Sequence, residues 1–189
     1  AGIPSVVYGF FAFIYIGPIV VEFGEYAFAN GWIDDSPNVL NPINGAIVVG
    51  VMILPLIASM SEDALRAVPN ELREGSLALG ATKIETTMKV MIQASLSGIV
   101  ASIILALSRA VGETMAVTLA VGTVAVFTSN MFLPAQTMTA YIAQRVGGDL
   151  PFGEIGYLTI FAVGLYLFVI TLCLNLLGNK ILSTYREAY

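Results

Sequence analysis

Hydrophobic positions dominate the chain in long unbroken runs, and the polar ones are bunched between them. Taking about 20 apolar residues as the length of a bilayer crossing, the pattern predicts membrane-spanning helices at residues 3–21, 43–60, 91–110 and 155–177, the third free of charge as far as Ser108. A fifth apolar run, Thr114 to Thr128, has only 15 residues and follows Arg109 and Glu113 directly. It is too short for a separate span, and it predicts a broken or re-entrant element, which a membrane tolerates only where protein or a water-filled cavity covers the backbone. The whole reads as one transmembrane domain, an all-α polytopic helical bundle over residues 1–189, with an irregular or re-entrant outer region at 114–153. Ala1 to Tyr8 lies inside an apolar run with no basic segment before it, so the sequence reads as an N-terminally truncated fragment.

Charge orients this bundle. Arg66, Arg73, Lys83 and Lys89 fall in the segment 61–90, and Lys180 and Arg186 in the tail, which places both in the cytoplasm. The segment 22–42 carries Glu22, Glu25, Asp34 and Asp35 without Lys or Arg, and 129–154 carries Arg145 with Asp149 and Glu154. Both face outward, so every loop alternates. Trp32 and Tyr26 on the outer side, and Tyr185 and Tyr189 on the other, suit interfacial anchors.

Helix punctuation gives the segment 61–90 an architecture of its own. Ser61 before Glu62 and Asp63 suits an N-cap with acid in the first turn. Pro69 fits a first helical position and Gly80 the residue past a helix end, bracketing about three turns with Leu72 and Leu79 on one face and Glu71, Arg73 and Glu74 around them. Thr82-Lys-Ile-Glu85 is a capping box that opens the next helix. Two helices joined by a tight glycine turn thus project from the membrane, too carefully built for a passive connector.

The third span continues a stripe of small residues at every fourth position, Ala94, Gly98, Ser102, Ala106, Ala110, Thr114, Thr118 and Gly122, the signature of close helix packing. Pro18 and Pro55 sit inside spans and predict bends. Cys173 lies in an apolar run and reads as a small hydrophobe.

Composition closes off several function classes. The chain is 57% hydrophobic and 11% charged, where a soluble domain is about a quarter charged. A net charge of −5 offers no basic surface for nucleic acid. With no His and one Cys, a His-containing metal site, a Ser-His-Asp triad and a disulfide framework are excluded within the chain, and neither carboxylate pairs inside spans nor a Gly-x-Ser-x-Gly elbow offers an alternative enzyme chemistry. No G-x-x-x-x-G-K-[ST] loop is present to cradle ATP phosphates, so any ATP drive is expected to come from a partner subunit that binds the ATP, and no cofactor is expected on this chain.

Arg109 and Glu113 are the charges that lie between Lys89 and Arg145, and their i,i+4 spacing puts them on one face if the helix continues. An intramembrane charge costs about 2.5 to 3.5 kcal/mol on insertion scales and therefore needs a compensating role. One role is structural, a self-neutralising salt bridge. The other is passage: Arg109 offers its planar fork of donors to an oxyanion while Glu113 holds the fork and limits the affinity. Gly112 and Gly122 permit the helix to break near the pair and expose backbone N–H groups.

Glu74-Gly-Ser-Leu-Ala-Leu-Gly80-Ala81, followed by Val90-Met-Ile-Gln93, resembles the EAA loop of ABC importer permeases, with Gly75-Ser76 and Ile92-Gln93 departing from the usual Ala-Ala and Leu-Pro. Ile3-Pro-Ser-Val-Val-Tyr-Gly9, Leu65 to Glu74, Ser108-Arg-Ala-Val-Gly-Glu-Thr-Met-Ala-Val117 and Thr137-Met-Thr-Ala-Tyr-Ile-Ala143 are similar, more specifically, to phosphate-specific permeases, of the PstC type rather than the PstA type. The resemblance implies a multi-pass permease in a bacterial or archaeal cell membrane. Its partners would be a second, PstA-type permease, two ATP-binding subunits and an external phosphate-binding protein. It implies that Glu71, Arg73, Glu74, Leu79, Gly80 and Ala81 dock an ATPase, and that Arg109, Glu113 and Thr114 line the substrate path. The alternatives are a permease for molybdate, tungstate or sulfate, and, from a different class, a passive channel or membrane scaffold.

Overall fold

The computed structural model describes residues 3–127, 129–148 and 153–184, the last four of these by backbone alone. Among them all regular structure is helical: α1 (Ser5–Phe11), α2 (Gly17–Ala29), α3 (Pro42–Arg66), α4 (Asn70–Ala78), α5 (Lys83–Thr86), α6 (Ile92–Ala94), α7 (Leu96–Val111), α8 (Met115–Val121), α9 (Met138–Val146) and α10 (Ile155–Thr184). A π-turn at Ala12–Ile16 joins α1 to α2, and a second at Thr87–Met91 joins α5 to α6. Three helices, Ser5–Ala29, Pro42–Arg66 and Ile155–Lys180, are long and apolar enough to cross a membrane. The pair Lys83–Ala94 and Leu96–Val111 supplies a fourth crossing if its two parts act as one span, though it bends by 65°. Large apolar side chains cover the outsides of these helices, among them Phe10, Ile19, Phe23, Leu54, Leu165 and Phe168, a distribution suited to a hydrocarbon solvent.

The chain divides into two compact units. One comprises 1–52 and 110–170, the other 53–109 and 171–189. In the first, the buried core is made of small side chains, Ala12, Val48, Ala116 and Ala120, so the π-turn at Ala12–Ile16, α3 and α8 approach closely. A Cβ on Gly9 would stand 2.9 Å from the Ala116 Cα, and one on Gly45 would collide with Val121. Two asparagines, each 0% exposed, lock this arrangement. Asn41 caps α3, its Oδ1 accepting from the Asn44 N–H at 2.8 Å with Pro42 at the first helical position, and its own N–H donates to the Ala120 carbonyl at 3.1 Å. The Asn44 amide group donates to the carbonyls of Ala12, Val39 and Ala120 at 3.3, 3.2 and 3.4 Å. Asn44→Leu therefore strips a shared donor from three segments at once. It is expected to cost about 2 to 4 kcal/mol, read as a lower thermal unfolding midpoint in detergent.

In the second unit the small-residue stripe does its predicted packing. A Cβ on Gly98 would fall 2.5 Å from that of Ala64, Ser102 shares a 2.9 Å hydrogen bond with Ser61, and Gly178 of α10 fits against Ile104. Ser108 donates to the Asn175 side chain at 2.9 Å.

Several expectations need correction. Ser61 does not open a helix: its hydroxyl is engaged with Ser102, α3 runs on to Arg66, and an exposed Glu62–Arg66 pair at 2.6 Å joins its last turn. The span at 91–110 is not straight. Ser95, with ψ 2°, turns its hydroxyl back onto the Met91 and Ile92 carbonyls and diverts the backbone there. Pro69 precedes α4 rather than beginning it, since its ψ of 135° is extended. Leu72 and Leu79 do not share a face, because α4 stops at Ala78 and Leu79, 91% exposed, projects from the turn. The stripe ends with α7 at Val111, so Thr114, Thr118 and Gly122 do not extend it, and Glu113 lies past the helix. Trp32 and Tyr26 are exposed and form an edge-on ring pair 6.1 Å apart, while Tyr185, Arg186, Tyr189, Thr128 and Asp149 fall outside the described residues.

Candidate functional site

The first site is the break that follows α7. Arg109 occupies the last turn of that helix, where the dipole favours a cation. Its side chain is exposed, and among the described residues it has no hydrogen-bond or ion-pair partner. Gly112, Glu113 and Thr114 then form a non-helical link: the Glu113 N–H donates to the Ala110 carbonyl at 3.1 Å, and the half-buried Glu113 carboxylate accepts from the Ala116 N–H at 3.2 Å in the first turn of α8. The acid thus satisfies an orphan donor of α8. Its carboxylate is thereby engaged at the start of α8. Thr114 is the residue before α8 and points its hydroxyl toward the Gly112 carbonyl at 3.4 Å, while its own carbonyl accepts from Thr118.

At seven residues α8 is too short to cross a bilayer, and Ala116, Val117, Ala120 and Val121 are all buried in its unit. Gly122, with φ +103°, ends it; beyond that the apolar run is irregular, with Val124, Val126 and Phe127 exposed. A residue missed by the sequence reading joins here. The hydroxyl of Thr139, in the first turn of α9, donates to the Glu113 carbonyl at 2.8 Å. The Thr137-x-Thr139 spacing just before a helical run was the available signal.

The second site is the hairpin at 70–94. Gly80, with φ +88°, makes the turn, and no atom outside its immediate neighbours lies within 4 Å of where a Cβ would stand. The predicted capping box is present: Thr82 Oγ1 accepts from the Glu85 N–H at 3.3 Å, and the Glu85 carboxylate accepts from the Thr82 N–H at 3.0 Å. That backbone donor, and after it the Thr82 hydroxyl, hold the Glu85 carboxyl below its ordinary value. The box therefore contributes fully above the unfolded pKa of Glu and weakens as the pH falls through the lowered one. Ser76 and Thr86 join the two arms by a 3.0 Å hydrogen bond. Glu71, Arg73, Glu74, Leu79 and Gly80 are all exposed, Ala81 is half-buried, and Ile84 and Met88, not foreseen, are 76% and 60% exposed on the following arm. Among the described residues no group of three or more Cys, Asp and Glu is placed to hold a metal ion.

Residues 1–184 match the family model for the binding-protein-dependent transport system inner membrane component. The chain is 35% identical over 98% of its length to the probable ABC transporter permease protein YqgH of Bacillus subtilis, covering 56% of that protein. It is 34% identical over 90% of its length to the phosphate transport system permease protein PstC of Mesorhizobium japonicum, covering 54% of it. The probable phosphate transport system permease protein PstC of Methanocaldococcus jannaschii is 33% identical over 99% of the chain, with 61% of that protein covered. The chain thus spans between 54% and 61% of the length of these curated relatives. No solved structure matches it.

Proposed function

The chain belongs to the family of binding-protein-dependent transport system inner membrane components, and from that premise we propose that it is the permease of an ATP-driven importer carrying inorganic phosphate delivered by an external binding protein. The exposed tip of the 70–94 hairpin carries this reading. Leu79, Ile84 and Met88 leave large apolar surfaces exposed on an element that also carries the exposed charges Glu71, Arg73 and Glu74 and is pinned by a capping box and a left-handed glycine. Exposed apolar surface rimmed by charge is the mark of a protein contact. A chain without a nucleotide-binding loop needs such a contact to receive work from ATP, so the hairpin docks one of two ATP-binding subunits, and a second permease of the PstA type completes the path.

Phosphate as cargo is supported by the names of two of the relatives above and by Arg109. A guanidinium with no counter-ion among the described residues offers a bidentate fork to a multiply charged oxyanion. A path fed by a binding protein needs positive potential more than tight binding, since what it takes up it must release. Arg109 supplies the donors, and Glu113 and Thr114 form the break beside which the anion passes.

The test is ATP hydrolysis by the full-length protein reconstituted with partner permease, ATP-binding subunits and binding protein. Phosphate is expected to stimulate hydrolysis strongly and sulfate and molybdate to leave it near the basal rate. Stimulation by either of those two instead of phosphate would transfer the cargo assignment to that oxyanion.

A further inference from the structure

We infer that Thr139 is a positioning residue for the substrate path: its hydroxyl fixes the backbone of the break at Glu113 and Thr114. This rests on reading that break as part of the path.

A chain that leaves one helix and enters another within three residues has carbonyls with no intrahelical partner. At this break the neighbours are accounted for locally, the Ala110 carbonyl by the Glu113 N–H and the Thr114 carbonyl by Thr118. The Glu113 carbonyl is served from 26 positions away, by Thr139 at 2.8 Å. Thr139 is 9% exposed, so water is poorly placed to take over.

Proton counting gives this contact a direction and a root. The Thr139 hydrogen goes to a carbonyl, which has none to give, so in the 3.2 Å contact between Thr137 and Thr139 the donor is Thr137. The Thr137 oxygen in turn accepts from the Ala140 N–H at 3.3 Å as the N-cap of α9. A single line therefore runs from the Ala140 amide through two hydroxyls to the Glu113 carbonyl, each bond polarising the next. The same glutamate is held through its carboxylate by Ala116, so side chain and backbone are both fixed, and Thr114 follows from them. The start of α9 thereby acts as an anchor for the start of α8.

Thr139→Val keeps the shape of the side chain and removes the donor, while Thr139→Ser keeps the donor. In the reconstituted complex Thr139→Val is expected to raise the phosphate concentration for half-maximal uptake by roughly 5- to 20-fold, the reach of one buried hydrogen bond, with assembly unchanged and Thr139→Ser within about twofold of the parent. A second readout does not depend on the cargo: in a Thr114→Cys, Cys173→Ser background, Thr139→Val is expected to change the rate of thiol labelling at position 114 by about fivefold or more, and Thr139→Ser to leave it alone. Unchanged labelling in Thr139→Val, or equal impairment in the Ser variant, would overturn the assignment. If phosphate fails to drive uptake in the parent complex, the cargo reading falls and the labelling comparison decides the role of Thr139 by itself.

Discussion

Gly80→Val is expected to abolish phosphate-stimulated ATP hydrolysis and uptake while leaving membrane insertion and the spans intact. The cause is dihedral. Gly80 sits at φ +88°, and nothing within 4 Å contests a Cβ there, so the substitution meets no wall and is opposed only by its own backbone. A side chain in the left-handed region costs about 1 to 2 kcal/mol, with β-branched residues the worst. The turn relieves this by leaving that region, which redirects Leu79 and Ala81 on one side and the capping box at Thr82 on the other. A docking surface is a fixed arrangement of several groups, so moving them together removes coupling rather than trimming it. Gly80→Asn is the control, since asparagine tolerates the left-handed region, and it should retain most of the coupling. Normal uptake by Gly80→Val would sink the docking assignment, and equal loss in both variants would show that the glycine's missing side chain, not its backbone, is what the partner needs.

Arg109→Gln is expected to lower phosphate uptake by roughly 10- to 100-fold, the equivalent of one charge-assisted hydrogen bond of about 1.5 to 3 kcal/mol, with the complex assembled normally. Assembly should survive because Arg109 has no partner among the described residues, so its removal strands no buried counter-charge. Arg109→Lys should fall between the two, keeping charge without the planar fork. Loss of assembly in Arg109→Gln would return the residue to a structural role.

How much of this was legible in the sequence depended on whether a signal was local. The capping box at Thr82 and Glu85, the left-handed turn at Gly80 and the loss of helix near Gly112 are set by residues within four positions of one another, and the structure has them where the pattern put them. Errors arose where a distant group took a side chain away from its local use. Ser61 was available as a cap until Ser102 engaged it, and Glu113 was available to Arg109 until the helix ended and α8 offered an unsatisfied N–H. The donor to the Glu113 carbonyl lies 26 positions along, and the three carbonyls served by Asn44 come from segments up to 76 positions away, distances at which no periodicity carries information. The bend at Ser95 came from a serine hydroxyl competing for backbone carbonyls in a run that read as plain helix.

The π-turn at Ala12–Ile16 has a consequence for angular register. Gly9, Gly17 and Gly24 each lie against a different neighbour, Ala116 and Leu119, Val39, and Pro37 with Phe132. On an uninterrupted α-helix Gly17 and Gly24 fall within about 20° of one another, but Gly9 and Gly17 stand about 80° apart. The wider turn absorbs one residue and rotates Gly9 back to within about 20° of Gly17 and about 40° of Gly24. Three notches that the sequence spaces unevenly thereby fall on one line, and deleting a single residue from that turn would swing the first of them by about a quarter of a revolution, out of the seat of α8.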